Sequence, residues 1–88
     1  MITAGQMRAA RALLGIDQKT LAEMSGVSVP TIQRMEASKG NVRGVIDTLA
    51  KVVEALDRAG IELIGDNVPS VAIGRGVRLK ESDVKPFL

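Results

Sequence analysis

The sequence predicts a mainly α-helical fold, a bundle of four to five helices followed by a short C-terminal antiparallel β-hairpin. Three observations predict it. Apolar residues recur at helical spacing through the first two-thirds of the chain, and each periodic run is bounded by cap residues and glycines. Ala22 and Gly26 sit where two helices crossing at roughly 90–120° need little bulk and a left-handed turn residue. After Gly60 the pattern changes to period two, in IELI (residues 61–64) and GVRLK (residues 76–80).

The first helix is expected over about residues 4–14. Thr3 followed by Gln6 has the spacing of a capping box, and Met7, Ala10, Leu13 and Leu14 share one apolar face, which Gly15 terminates. Asp17 is the expected cap of a second helix, about residues 18–25. A third follows from about 29 to 37, with Ser28 as the favoured N-cap and Pro30 in the first turn, where its missing N–H costs nothing. Leu21, Met24, Val27, Ile32 and Met35 form the apolar set that buries the joint face of these helices. Val29, Pro30, Thr31, Gln33 and Arg34 are left facing outward.

The loop SKGN (residues 38–41) is polar and contains glycine. A fourth helix is expected from residue 42 or 44 to 59, with Val45/Ile46, Leu49, Val52/Val53 and Leu56 along one core-facing stripe and Gly60 as its stop. Beyond it, residues 61–64 and 76–80 are expected to pair, with Val71, Ala72 and Ile73 as a candidate third strand. The division is therefore a helical domain over residues 1–60 and a hairpin tail over 61–88. An isolated hairpin is marginal in water, so the tail is expected to pack on the last helix or pair in a dimer. The C-terminal ESDVKPFL (residues 81–88) is expected to fray.

Composition excludes several chemistries. The chain has 88 residues and contains no Cys, His, Tyr or Trp, so it lacks a thiolate nucleophile, the usual general base and the commonest metal ligands. Neither a catalytic centre nor a metal site is expected. Its single aromatic, Phe87, rules out an aromatic platform for base stacking. No run of apolar residues reaches the ~20 needed to cross a bilayer, and the N-terminus lacks a signal-peptide segment, so the expectation is a cytoplasmic protein without membrane association. The net charge is +2, but residues 1–43 hold six basic against three acidic groups and the remainder six against seven. Such an asymmetry suits a phosphate-facing module joined to a neutral tail.

Gln18, Ala22, Gly26, Val27, Ile32 and Glu36, within the run LGIDQKTLAEMSGVS followed by TIQRME, resemble the lambda-repressor-like, Cro-type (XRE) helix-turn-helix family. The resemblance covers roughly residues 3–59. It implies a compact bundle, no cofactor, and binding as a homodimer to two half-sites on double-stranded DNA. The third helix would then be the recognition helix, with Ser28, Val29, Pro30, Gln33 and Arg34 as base contacts. Arg34 is suited to guanine O6 and N7, Gln33 to adenine, and Val29 and Pro30 to a thymine methyl only. Gln18, Lys19, Thr31, Lys39, Asn41 and Arg43 are the phosphate candidates. Arg11 and Glu36 match a family pair that ties helix 1 to the end of the recognition helix, a structural ion pair.

A competing reading uses the same fold as an antitoxin-like or adaptor module whose C-terminal strands bind a partner protein by edge pairing. An enzyme is the weakest reading, because Asp47 and Glu54 lie on the solvated side of an amphipathic helix and no other carboxylate pairing survives the helical pattern.

Overall fold

The computed structural model describes residues 2–81 of the chain. Within them are four helices: α1 (Ala4–Leu14), α2 (Gln18–Ser25), α3 (Val29–Glu36) and α4 (Ile46–Arg58). The expected bounds of α1 and α2 coincide with those found, because their ends are set by local chemistry. The Thr3 hydroxyl accepts the Gln6 N–H while the Gln6 side chain accepts the Thr3 N–H, a complete capping box. Asp17 caps α2 by accepting the Thr20 N–H at 2.7 Å, which also holds its carboxyl below the usual range. Ser28 caps α3, with Pro30 in the first turn.

The core is aliphatic and thioether throughout. Met7, Leu21, Ile32, Val42, Val52 and Leu56 are its largest fully buried side chains, each worth about 1.5–3 kcal/mol relative to exposure. Helix α2 packs on both α3 and α4, and α1 packs on α3.

Helix α4 begins later than expected, at Ile46, with Val45 as an N-cap that offers no side-chain hydrogen bond. The expected core stripe is also narrower. Val52, Ala55 and Leu56 are buried, whereas Val45, Ile46 and Val53 are exposed, Ile46 to 80%. Periodicity admitted both flanks of the helix. The bundle covers only one, and Val42, in the loop before the helix, takes the remaining place in the core.

The chain before α1 pairs with the loop after α3, a contact no local pattern announced. Thr3 and Asn41 form an antiparallel bridge; the Ala4 N–H donates to Gly40 O (3.0 Å) and the Val42 N–H to Ile2 O (2.9 Å), with Ile2 and Val42 both buried. This bridge clamps the loop that carries Lys39, Asn41 and Arg43.

Gly60, at φ 96°, ends α4 as expected: the Ile61 N–H returns to Leu56 O at 3.0 Å and the Gly60 N–H to Asp57 O at 3.0 Å, a Schellman closure that needs the left-handed residue. Residues 61–64 then run extended, with Ile61 and Leu63 against the core. The expected hairpin is not found among the described residues, which contain no β-ladder. Side chains of the two segments instead bond the backbone that lies between them. The Glu62 carboxylate accepts the Ser70 hydroxyl and the N–H groups of Val71 (2.9 Å) and Ala72 (3.2 Å), while Arg78 donates to Val68 O (2.6 Å) and Gly65 O (3.2 Å). The Ser70 hydroxyl bond leads in holding the Glu62 carboxyl below its usual range. A two-stranded ribbon is by itself marginal in water. Val71, Ile73, Val77 and Leu79 are left exposed.

Candidate nucleic-acid interface

The crossing of α2 and α3 follows from two small residues. Ala22 is buried at the crossing, and Gly26 at φ 72° accommodates the reversal, with its N–H and that of Val27 both donated to Ala22 O at 2.9 and 3.2 Å. Buried Ser25 satisfies its hydroxyl on Leu21 O at 2.7 Å, so the polar group in this tight joint carries no desolvation penalty. Ile32 and Met35 turn inward from α3 and Leu21 from α2, which decides the face α3 presents to solvent.

On that face Ser28, Pro30, Gln33 and Arg34 are exposed and Thr31 half-exposed. Val29 differs from its expected outward position: it is half-buried and packs against the core at the start of the helix. The polar side chains are linked. Ser28 Oγ accepts the Thr31 N–H (3.3 Å) and lies 2.9 Å from Thr31 Oγ1, which accepts from an Arg34 guanidinium nitrogen at 3.1 Å.

The C-terminal end of α3 is fastened from behind. Arg11 forms a bidentate pair with Glu36, Nε to Oε2 at 2.6 Å and Nη2 to Oε1 at 2.7 Å, and its Nη1 reaches Ile16 O at 3.3 Å. Gln18 donates to the same Glu36 Oε1 at 3.1 Å. Burial pushes the Glu36 carboxyl up, but the bonds from Arg11 and Gln18 and the charges of Arg11 and Arg8 outweigh it and hold it below the usual range. The same hydrogen bond raises Arg11 further above neutrality.

Arg8 adds a brace that sequence reasoning missed, donating to the Glu36 carbonyl at 2.6 Å, where a cation at a helix C-terminus is favoured. Its signal was the Arg8/Arg11 spacing, which sets both guanidinium groups on one face of α1. Gln6 is another: its carboxamide N–H₂ donates to Ile64 O at 2.9 Å, so the capping residue of α1 also holds the extended segment.

The Gln18–Glu36 bond sets the N-terminus of α2 beside the C-terminal end of α3, where the loop of residues 38–43 departs. Exposed Lys19 follows Gln18 in the chain, and exposed Lys39, Asn41 and Arg43 lie on that loop. Gln18 is half-buried and keeps a second carboxamide hydrogen beyond the one given to Glu36. Among the described residues no group of acidic side chains could hold a metal ion, and no helix is long and apolar enough to cross a membrane.

None of the curated proteins matches the sequence. Residues 7–63 match the helix-turn-helix family of the Cro and XRE type, a span that includes α2, α3, α4 and all but the first three residues of α1, with the α2–turn–α3 unit and the Arg11–Gln18–Glu36 network. The chain therefore belongs to this family of DNA-binding helix-turn-helix regulators.

Proposed function

We propose that the protein is a sequence-specific regulator of transcription that binds an inverted-repeat operator in double-stranded DNA as a homodimer. The observation that carries this reading is the exposed polar face of α3, backed by a core-packed face and a Glu36 lock that fix the helix against the bundle. A helix so held presents its side chains to a major groove with little left to order on binding.

Ser28, Pro30, Gln33 and Arg34 are assigned to the bases, with Arg34 on guanine and Pro30 on an apolar thymine edge. Val29, half-turned into the core, contributes at most its outer methyl. Lys19, Lys39, Asn41 and Arg43 take phosphates on either flank, and Gln18 offers its free carboxamide hydrogen from the start of α2. Arg11 and Glu36 serve structure. Residues 61–88 are assigned to dimerisation: Val71, Ile73, Val77 and Leu79 expose 65–102% of their surface in the single chain, which favours a covering partner.

The same four side chains favour the second reading, an adaptor or antitoxin-like module in which another protein covers the tail. Selection of duplexes from a random pool separates the two. Enrichment of an inverted repeat with half-sites about one helical turn apart supports the dimeric regulator; retention without sequence preference directs attention to a protein partner of the tail.

A further inference from the structure

The polar groups on the exposed face of α3 form a line rather than a scatter. Ser28, the N-cap, meets Thr31 at 2.9 Å, and Thr31 receives the Arg34 guanidinium at 3.1 Å, each three residues further along the same face. We propose that Thr31 is a positioning and specificity-determining residue that aims Arg34 at its base pair, rather than a phosphate contact. This rests on α3 being the base-reading helix.

The chemistry of the three groups supports the assignment. An arginine on an exposed helix face samples many rotamers and must surrender them to dock on a base edge. A hydrogen bond to a fixed acceptor on the preceding turn removes part of that freedom in advance. Thr31 is a suitable acceptor because it is itself restrained: its β-branched χ1 is confined to two rotamers in a helix, and its hydroxyl is shared with the capping serine. Oγ1 has one hydrogen and two lone pairs; when the hydrogen goes to Ser28 and a lone pair to Arg34, no donor remains for a phosphate oxygen. Arg34 gives up one of five N–H groups to Thr31, and the four that remain suffice for a bidentate contact with guanine O6 and N7. The N-cap thus anchors a relay that reaches the last turn of the helix, and the capping of α3 and the reading of one base pair share a residue, Ser28.

The test compares the full chain with R34A, T31V, T31S and R34A/T31V on duplexes carrying the selected site and its single-base variants, at several salt concentrations. The base pair at which R34A loses preference is the one Arg34 reads. T31V keeps the size and branching of Thr and removes only the hydroxyl. It should lower the preference at that same base pair about three- to tenfold, the effect of one hydrogen bond, while preferences elsewhere and the slope of log K against log [salt] stay at wild-type values. T31S should restore the preference, and T31V should add nothing in the R34A background. A T31V chain that weakens on all sequences alike, with a slope shallower by about 0.9, makes Thr31 a phosphate contact and overturns the proposal. So does an R34A chain that keeps every base preference. A wild-type chain with no sequence preference at all overturns the reading of α3 as well, and the unmutated protein alone reveals that case.

Discussion

Replacing Arg11 by Ala should cost this protein stability in a manner that depends on pH. The Glu36 side chain is 4% exposed and that of Arg11 20%, and the pair is joined by two hydrogen bonds of 2.6 and 2.7 Å. Losing one partner of a buried pair strands the other charge, a loss of about 3–5 kcal/mol. Gln18 and the charge of Arg8 still face the Glu36 carboxylate, so the low end, about 3 kcal/mol, is expected. With about 2.1 cal/mol/K of unfolding entropy per residue over 88 residues, this is a fall in Tm of about 15 °C at pH 7.

The pH profile distinguishes a stranded charge from a mere cavity. In the wild type the Glu36 carboxyl sits below its unfolded value of about 4.3, so its contribution is full above that pH and is lost as pH falls through the lower folded value. In R11A burial is no longer outweighed and the carboxyl rises. The penalty is then greatest at neutral pH and shrinks on acidification, as the orphaned group takes up a proton. Thermal unfolding of both proteins at fixed chain concentration between pH 4 and 7 reads the difference directly. R11A melting within about 3 °C of wild type at pH 7, or a penalty that does not change across the range, would refute the argument. R11K, which keeps the charge without the fork, should lie between the two.

Gln6→Ala should lose about 1–2 kcal/mol in urea unfolding, because its side-chain bonds to the Thr3 N–H and to Ile64 O disappear together, and amide exchange in residues 61–64 should quicken. Gly26→Ala places a side chain at φ 72°, where open space surrounds the Cβ but the backbone is strained; a loss of about 1–2 kcal/mol by the same measurement is expected. The double substitution of Lys39 and Arg43 by Ala should reduce the salt slope of duplex binding by about 1.8 without altering which sequence is preferred. Removing residues 65–88, so that residues 61–64 remain on the core, should convert dimer to monomer in analytical ultracentrifugation; a truncated chain that stays dimeric would move the interface to the helices.

What sequence alone determined is what acts over three or four residues. Thr3 with Gln6, Asp17 and Ser28 each satisfy a backbone N–H of the turn that follows them, and Gly26 and Gly60 adopt the left-handed conformation that a reversal demands. Donor, acceptor and spacing are contained within a single helical turn, so the starts of α1, α2 and α3 and the joint between α2 and α3 were legible. The tertiary structure decided matters that local rules leave degenerate. Val52 and Val53 are equally apolar, but packing in the bundle core buries the first and leaves the second at the surface. Residues 61–64 and 76–80 both alternate as strands do, yet no ladder joins them among the described residues, and Glu62 and Arg78 bond the backbone of the segment between them. Arg8 was one surface cation among several until α1 came to rest on α3 and set it on the Glu36 carbonyl. Each of these outcomes depends on which surfaces meet, and that is settled by the shape and total burial of the bundle rather than by any residue's neighbours in the chain.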